Sequence, residues 1–297
     1  MSSLEPCSHH GPHPALCRRA GRGRHRSRGG GDGGQDGRVA GNGIARLRDA
    51  GIRVDVGLLA DAAATLNRGL SAELPAGRPV VTVKSAHNLD ARIATAGGES
   101  RWITGAEARA RGHLARAGHD AIAVGRGTAA ADDPMLDCRL PGLAGAAPVR
   151  IVFDSGAAIA RGCRLVRTAH ATPTWLICTA RAPQDRLAAL EGDGVVVMRS
   201  AAGPDGRVDP GAALRLLAER GITRLLIEGG GTLVAALLRA DLVDELHCHR
   251  APIVIGAEGR PAFGGLDLAG LAAAPRFVAA ESAAAGDDRL EVFRRRR

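Results

Sequence analysis

From Pro79 onward the sequence alternates strand-length apolar runs with stretches of helical spacing, and this rhythm constrains the fold more than any other feature. "PVVTVKSAHNLD" reads as a strand running into a polar loop; "DAIAVG", "VRIVFDS", "TWLICT", "GVVVM", "RLLIEGG" and "ELHCHRAPIVIG" are further strands. Short apolar runs bounded by turn residues suit strands that are buried on both faces. Between them, "TGAEARARGHLARAG" predicts a helix with Thr104 as N-cap, Glu107 completing a capping box and Gly118 as the stop. Helices are also expected over 210–220 and 232–240. Strands and helices in alternation imply an α/β domain with a mostly parallel central sheet flanked by helices. "RFVAAES" and "RLEVFRR" read as a closing antiparallel pair. His247 and His249 flank Cys248 and are expected as a same-face pair on an edge or interface strand, not as metal ligands. Hydrophobic residues make up 45% of the chain and aromatic ones only 2%, so the core must be built from Ala, Val, Leu and Ile.

The region before Pro79 has a different texture. In 38–70, "GNGIARLRDAGIRVDVGLL" reads as a short helix, a stop at Gly51 and an alternating strand. Residues 71–78 form a linker broken by Pro75 and Gly77. Residues 18–37, "RRAGRGRHRSRGGGDGGQDG", carry neither helical nor strand periodicity, and the whole of 1–37 is expected to be disordered. The net charge of +9 sits mainly in that block and in the tail Arg294–Arg297. No aromatic stacking platform accompanies it, so nucleic acid is not expected as a partner. There is no apolar run of about 18 residues to cross a membrane and no secretory stretch. Six scattered cysteines suit a reducing compartment, so a cytoplasmic location is expected.

Two motifs suggest chemistry. "LEPCSHHGPHPALC" is half of a zinc site: nucleobase deaminases join an H-x-E to a later P-C-x-x-C, with His and two Cys holding the metal. Cys7 and Cys17 stand ten apart, and no H-x-E precedes them. They are expected to be remnant ligands, and zinc is not expected as a cofactor. "LLIEGGGTLVAALL" is a strand, a glycine turn and a helix; the glycines permit positive φ, and the helix start offers backbone N–H groups to a phosphate. Nearly every base is Arg, and Lys84 is the one Lys among 40 basic residues, which suggests a need for a compact ammonium.

"VTVKSAHNLDARIATAGGESRWITG", "AVGRGTAAADDPMLDCR" and "LLIEGGGTL" occur in that order. Together they resemble the reductase domain of the bifunctional riboflavin-biosynthesis deaminase/reductase family. "EPCSHHG" is similar to the deaminase half of the same family, with a wider Cys spacing. The resemblance implies a dihydrofolate-reductase-like fold over 79–297 and a disrupted deaminase remnant before it. A reading-frame slip over roughly residues 12–36 would account for the Arg/Gly block. The implied reaction is NADPH-dependent reduction of the ribosyl group of 5-amino-6-(5-phosphoribosylamino)uracil.

The roles that follow are those the resemblance implies. Lys84, Asp132 and Glu228 form the catalytic set, with Lys84 at the end of its strand. Ala86, Trp102, Thr128, Asp132 and the run Gly230, Gly231, Thr232, Leu233, Val234, Ala235 and Ala236 bind the cofactor. Ser100, Arg116, Leu136, Arg139 and Glu228 bind the substrate, the two arginines through forked donors suited to phosphate. A homodimer through the reductase domain is also implied. Asn88-Leu89-Asp90-Ala91 departs from the family, which has Gly where Ala91 stands, and strain is expected in that loop. Three readings compete: a still bifunctional enzyme, a related reductase with another substrate, and a basic RNA-binding protein.

Overall fold

A computed structural model describes residues 2–4, 27–32, 42–58, 77–143, 145 and 147–296. The chain divides into two compact units, Met1–Arg78 and Pro79–Arg297.

In the first unit, β1 (Ser2–Leu4), β2 (Ser27–Asp32) and β3 (Arg53–Val56) form a parallel sheet in that order. Helix α1 (Asn42–Asp49) buries Leu47 against Ile52 and Val54, and Gly51, at φ +72°, ends it. The segment read as patternless therefore contains a strand at Ser27–Asp32. A parallel ladder is made by backbone groups, so a Gly-rich strand can pair without any side-chain period. Disorder throughout 1–37 does not hold at β1 and β2. Cys7, Cys17, the rest of that block and most of the 71–78 linker lie outside the described residues.

The second unit is built on a nine-stranded sheet. Its strands are β4 (Val80–Asn88), β6 (Ala121–Gly125), β7 (Val149–Phe153), β8 (Thr174–Cys178), β9 (Val196–Arg199), β10 (Arg224–Glu228), β11 (Glu245–Ala251), β13 (Phe277–Ala285) and β14 (Asp288–Arg295). The order is β13-β14-β11-β4-β10-β6-β7-β8-β9; all neighbours from β11 to β9 are parallel, and the β14 pairings are antiparallel. A short β5 (Arg92–Ala94) pairs with β12 (Arg260–Pro261) apart from the main sheet. Among the described residues the helices after α1 are α2 (Ala106–Ala117), α3 (Arg126–Asp132), α4 (Arg164–Arg167), α5 (Gln184–Gly192), α6 (Pro210–Glu219) and α7 (Gly231–Arg239).

Strand alternation sends Val81, Val83, Leu225 and Ile227 to one core, against Leu214 and Leu217 of α6 and Val234 and Leu237 of α7. Leu226, Ile122, Val124 and Leu176 face the other core, with Leu165, Leu187 and Leu190. Each fully buried Leu contributes on the order of 2 kcal/mol of transfer free energy.

Several local expectations shift. Helix α2 is capped at Gly105, not Thr104, and no side chain closes the cap. Thr104 is buried, and the Asp288 carboxylate accepts the Gly105 N–H at 2.6 Å, so a distant strand supplies the acceptor expected from the local box. Strand β11 is interior, between β4 and β14, so His247 and His249 are not on an edge. The closing strands C-terminal to it cover the side left open by the local reading.

Candidate active site

The glycine turn lies where the sheet opens. β10 ends at Glu228, in register with Lys84 of β4, whereas β4 continues through Asn88 paired only with β11. Lys84 is therefore mid-strand, not at the strand end as expected. Beyond Glu228, the side of β4 that carried β10 is left without that partner, at the carboxyl ends of the parallel strands, the general place for ligands in open α/β sheets. Ala86, two residues past Lys84, borders it on the same strand face.

One wall is polar. In-register pairing puts Glu228, Lys84 and His247 in one row across β10, β4 and β11, with Ala86 and His249 in the next. Helix α2 lies over this face. A Cβ on Gly112 would lie 3.6 Å from Lys84 Cε and 3.8 Å from its Nζ, so the lysine side chain runs beneath that glycine. Arg116, one helical turn on, donates from Nε to Glu228 Oε1 at 2.9 Å and from Nη2 to Oε2 at 2.7 Å. Its Nη1 donates to Asp137 O at 2.8 Å. Both side chains of the pair are largely buried. Burial raises the Glu228 pKa, but the Arg116 hydrogen bonds and the nearby charges of Lys84 and Arg116 outweigh it and bring the carboxyl to about 2. Glu228 is thus a fixed anion. His249 is buried, with Nδ1 3.1 Å from Ala108 O; burial and Lys84 lower its pKa to about 4, which leaves the ring neutral.

The other wall is backbone. Gly229 and Gly230 have φ of +90° and +86°. A Cβ on Gly229 would come within 3.3 Å of Thr128, one on Gly230 within 3.5 Å of Gly125 N, and one on Gly231 within 3.3 Å of Gly264 N. The turn is a cradle that side chains would fill, and it leads into α7, whose N-cap carries no side-chain hydrogen bond. That combination fits a dinucleotide pyrophosphate. Thr232 is exposed and Leu233 and Ala236 half-buried at this helix start, while the Val234 and Ala235 side chains belong to the core and could offer only backbone.

The structure distributes the remaining candidates unevenly. Thr128 meets the glycine turn. Trp102 is 68% exposed with the Arg109 guanidinium 4.5 Å from its ring centre, so it is available as a packing surface. Arg139 is exposed beside Asp137, at 3.5 Å. Ser100 is half-buried in the turn after β5, accepting from Ile103 N. Two assignments need correction. Arg116 was expected as a phosphate clamp, but three of its five N–H donors are engaged by Glu228 and the Asp137 carbonyl, and its fork is spent on Glu228. The Leu136 side chain is 3% exposed within the core, leaving its backbone, at φ +53°, as the part that can face a ligand. Asp132 is exposed at the end of α3, and its carbonyl accepts from Arg101. The Asn88–Ala91 loop does hold Ala91 at φ +55°; the Asn88 carbonyl oxygen of the side chain accepts Arg92 N, and Asp90 accepts Ile255 N and Gly256 N. Arg109 over Trp102 and the His249–Ala108 bond were not foreseen, because neither shows in local spacing.

An open parallel sheet with a glycine cradle beside an ion-paired carboxylate defines an α/β domain of ligand-binding type. Residues 79–289 match the RibD C-terminal domain, and the chain belongs to that family. It is 38% identical over 226 residues to riboflavin biosynthesis protein RibD of Bacillus amyloliquefaciens, covering 75% of this chain and 59% of that protein. It is 35% identical over 304 residues to RibD of Escherichia coli K12, covering 96% and 79%. Acinetobacter baumannii RibD superposes with a TM-score of 0.85 at 28% identity over 99% of this chain and 80% of that one. The chain thus matches less than two thirds of the Bacillus protein. Among the described residues no helix is long and apolar enough to cross a membrane.

Proposed function

We propose that the protein reduces the ribosyl group of 5-amino-6-(5-phosphoribosylamino)uracil to the ribityl form, with NADPH as hydride donor. The observation that carries this reading is the placement of a fixed anion, Glu228, next in the chain to a positive-φ glycine cradle. Bound NADPH supplies the hydride. The backbone from Gly230 to Ala236 would hold its pyrophosphate, and Ala86, Trp102, Thr128 and Asp132 would border the rest. Glu228 orients substrate hydroxyl or amino donors, and Lys84 Nζ is the cation for the ribosyl nitrogen or oxygen that gains electron density. Arg139 and Ser100 engage the phosphate end, with Arg116 acting through Glu228. Asp132 belongs to the catalytic set only as a residue reached from the cofactor side.

The deaminase step is absent in this reading, and Cys7 and Cys17 hold no catalytic zinc; the altered spacing of the two cysteines supports it. A cytoplasmic homodimer is also proposed. The free Cys138, Cys163, Cys178 and Cys248 suit a reducing compartment, and the outer strand β13 has an edge left for a second copy.

The test supplies NADPH with the deaminated or the undeaminated pyrimidine phosphate. Oxidation and ribityl product are expected with the deaminated compound alone, without ammonia. Ammonia release from the undeaminated compound, or about one zinc per chain lost in Cys7→Ser, would establish a bifunctional enzyme instead.

A further inference from the structure

Between helix α2 and the loop that carries Arg139 lies a set of contacts that the reaction has not yet used. Arg116 Nη1 donates to the Asp137 carbonyl at 2.8 Å. The Cys138 thiol donates to the His113 carbonyl at 3.3 Å. Between these two ties sits the His113 ring. Its Nδ1 is 3.3 Å from the Arg139 backbone nitrogen, which points its N–H at the ring, and 3.2 Å from the Asp137 carbonyl oxygen. One nitrogen cannot serve both. Without a proton it accepts from Arg139 N–H; with one it can only donate to Asp137 O. Arg116 already donates to that carbonyl, so the neutral ring with its proton on Nε2 satisfies both backbone groups, and a ring protonated at Nδ1 leaves the Arg139 N–H without its acceptor.

We infer that His113 is a positioning residue for substrate binding: its neutral ring fixes the backbone of Arg139 and so aims that guanidinium at the substrate phosphate. The inference rests on the reductase reading above. The surrounding loop needs such a tie. Leu136 is at φ +53°, a conformation that a Leu rarely adopts unless its neighbours hold it there. The Arg139 side chain is 65% exposed and, among the described residues, ion-paired only with Asp137 at 3.5 Å, a weak restraint for an exposed pair. The aim of the guanidinium is therefore set by its backbone.

The groups facing the ring are Arg116 on its own helix, Asp137, Cys138 and Arg139 on the loop, and Glu228 on β10. Burial and then the charges of Arg116 and Arg139 lower the His113 pKa, against the opposite pull of the Asp137 carbonyl and Glu228. The neutral ring is thus favoured at neutral pH, the Arg139 N–H aimed at Nδ1 selects its Nε2–H tautomer, and the tie weakens as the ring gains a second proton at acid pH.

Two variants separate positioning from folding. In Asn the side-chain oxygen takes the place of Nδ1 and does not titrate; Phe keeps the ring and removes the acceptor. His113→Phe is expected to raise the pyrimidine KM about tenfold, with kcat within about threefold and the NADPH KM unchanged. His113→Asn should keep the KM near wild type and abolish its rise at acid pH. Hydrogen exchange of the peptide spanning 136–140 gives a readout that needs no turnover. Once corrected for intrinsic rates, Phe should speed exchange at the Arg139 amide about tenfold at pH 7.5, Asn should not, and wild-type protection should fall on acidification. Unchanged Arg139 exchange in His113→Phe overturns the inference, as does an equal loss of NADPH and pyrimidine affinity in both variants. Wild-type protein that lacks reductase turnover but shows the expected exchange pattern counts against the reductase reading and leaves the backbone tie standing.

Discussion

Glu228 and Gly229 are adjacent in the chain, yet they belong to walls of opposite construction. On the Glu228 side everything is charge: a carboxylate held by two bonds from Arg116, with Lys84 in register beside it. On the Gly229 side the turn itself is backbone, with the Thr128 side chain beside it, and the cradle exists because side chains are missing. The charged wall draws on β4, α2 and β10, so its geometry depends on packing among distant segments. The glycine wall is mostly one turn. The two should consequently fail in different ways: the charged wall through turnover, the glycine wall through cofactor affinity.

The largest effect should come from Glu228→Gln. Gln keeps the volume and one acceptor but leaves the largely buried Arg116 without a counter-charge. Turnover is expected to fall about 100-fold, equivalent to about 2.7 kcal/mol in the barrier. Truncating one partner of a buried pair also costs stability, on the order of 3 kcal/mol. Steady-state kinetics and thermal melting check both; full NADPH oxidation by the variant would remove the charged wall from the reaction.

Lys84→Arg tests the same wall with charge conserved. The lysine stem already passes within van der Waals reach of where a Gly112 side chain would start. A planar, longer guanidinium does not fit that slot. Turnover should drop at least about tenfold, or roughly 1.4 kcal/mol. Near-wild-type rates would mean that any cation serves.

Gly230→Val turns to the other wall. At φ +86° a β-branched residue is strained, and its Cβ, 3.5 Å from Gly125 N, would fill the cradle. NADPH should bind about tenfold more weakly by titration, with pyrimidine affinity changed less. Unchanged cofactor affinity in a folded variant would locate the pyrophosphate elsewhere.

The unequal construction also explains what could be read before folding. The glycine turn is contiguous, and "LLIEGGGTL" shows strand, turn and helix at once. The apolar runs are local too, so the parallel sheet was legible, as was the antiparallel pair at the end. The Arg116–Glu228 pair spans 112 residues. Nothing local distinguishes Arg116, on an Arg-rich helix, from Arg109 or Arg111, and a forked donor free for phosphate was the natural expectation. Leu136 was placed by its position in a motif, while its burial depends on a core assembled from several distant strands and helices. The cap at Gly105 escaped for the same reason, since its acceptor, Asp288, comes from β14. The strand at Ser27–Asp32 escaped because backbone pairing leaves no mark on a Gly-rich sequence.

The smallest effect on catalysis is expected from His119→Gln, which lies outside both walls and so tests whether stability and turnover separate. The His119 ring is buried in one neutral form: Nδ1 lies 2.7 Å from Ala115 O and must donate, so Nε2, 3.0 Å from Thr82 Oγ1, must accept. Burial, aided by Arg224 and His247, lowers its pKa from 6.5 to about 4 despite the Ala115 bond. Because the folded pKa lies below the unfolded one, the unfolded chain binds more protons between these values. The contribution is complete above about pH 6.5 and declines as pH falls toward 4, with a slope of up to about 1.4 kcal/mol per pH unit for one ring. His249 adds a second such term over the same window. Glu228 adds one at lower pH, lost as pH falls from the ordinary Glu range toward about 2. Gln at position 119 does not titrate. Urea unfolding at pH 7 should show a loss of about 1 kcal/mol from weaker hydrogen bonding, whereas the fall in stability from pH 6.5 to 4 should be markedly shallower than in wild type, with kcat unchanged at pH 7.5. An identical pH slope in the two proteins would show that the His119 ring is not held neutral by the fold.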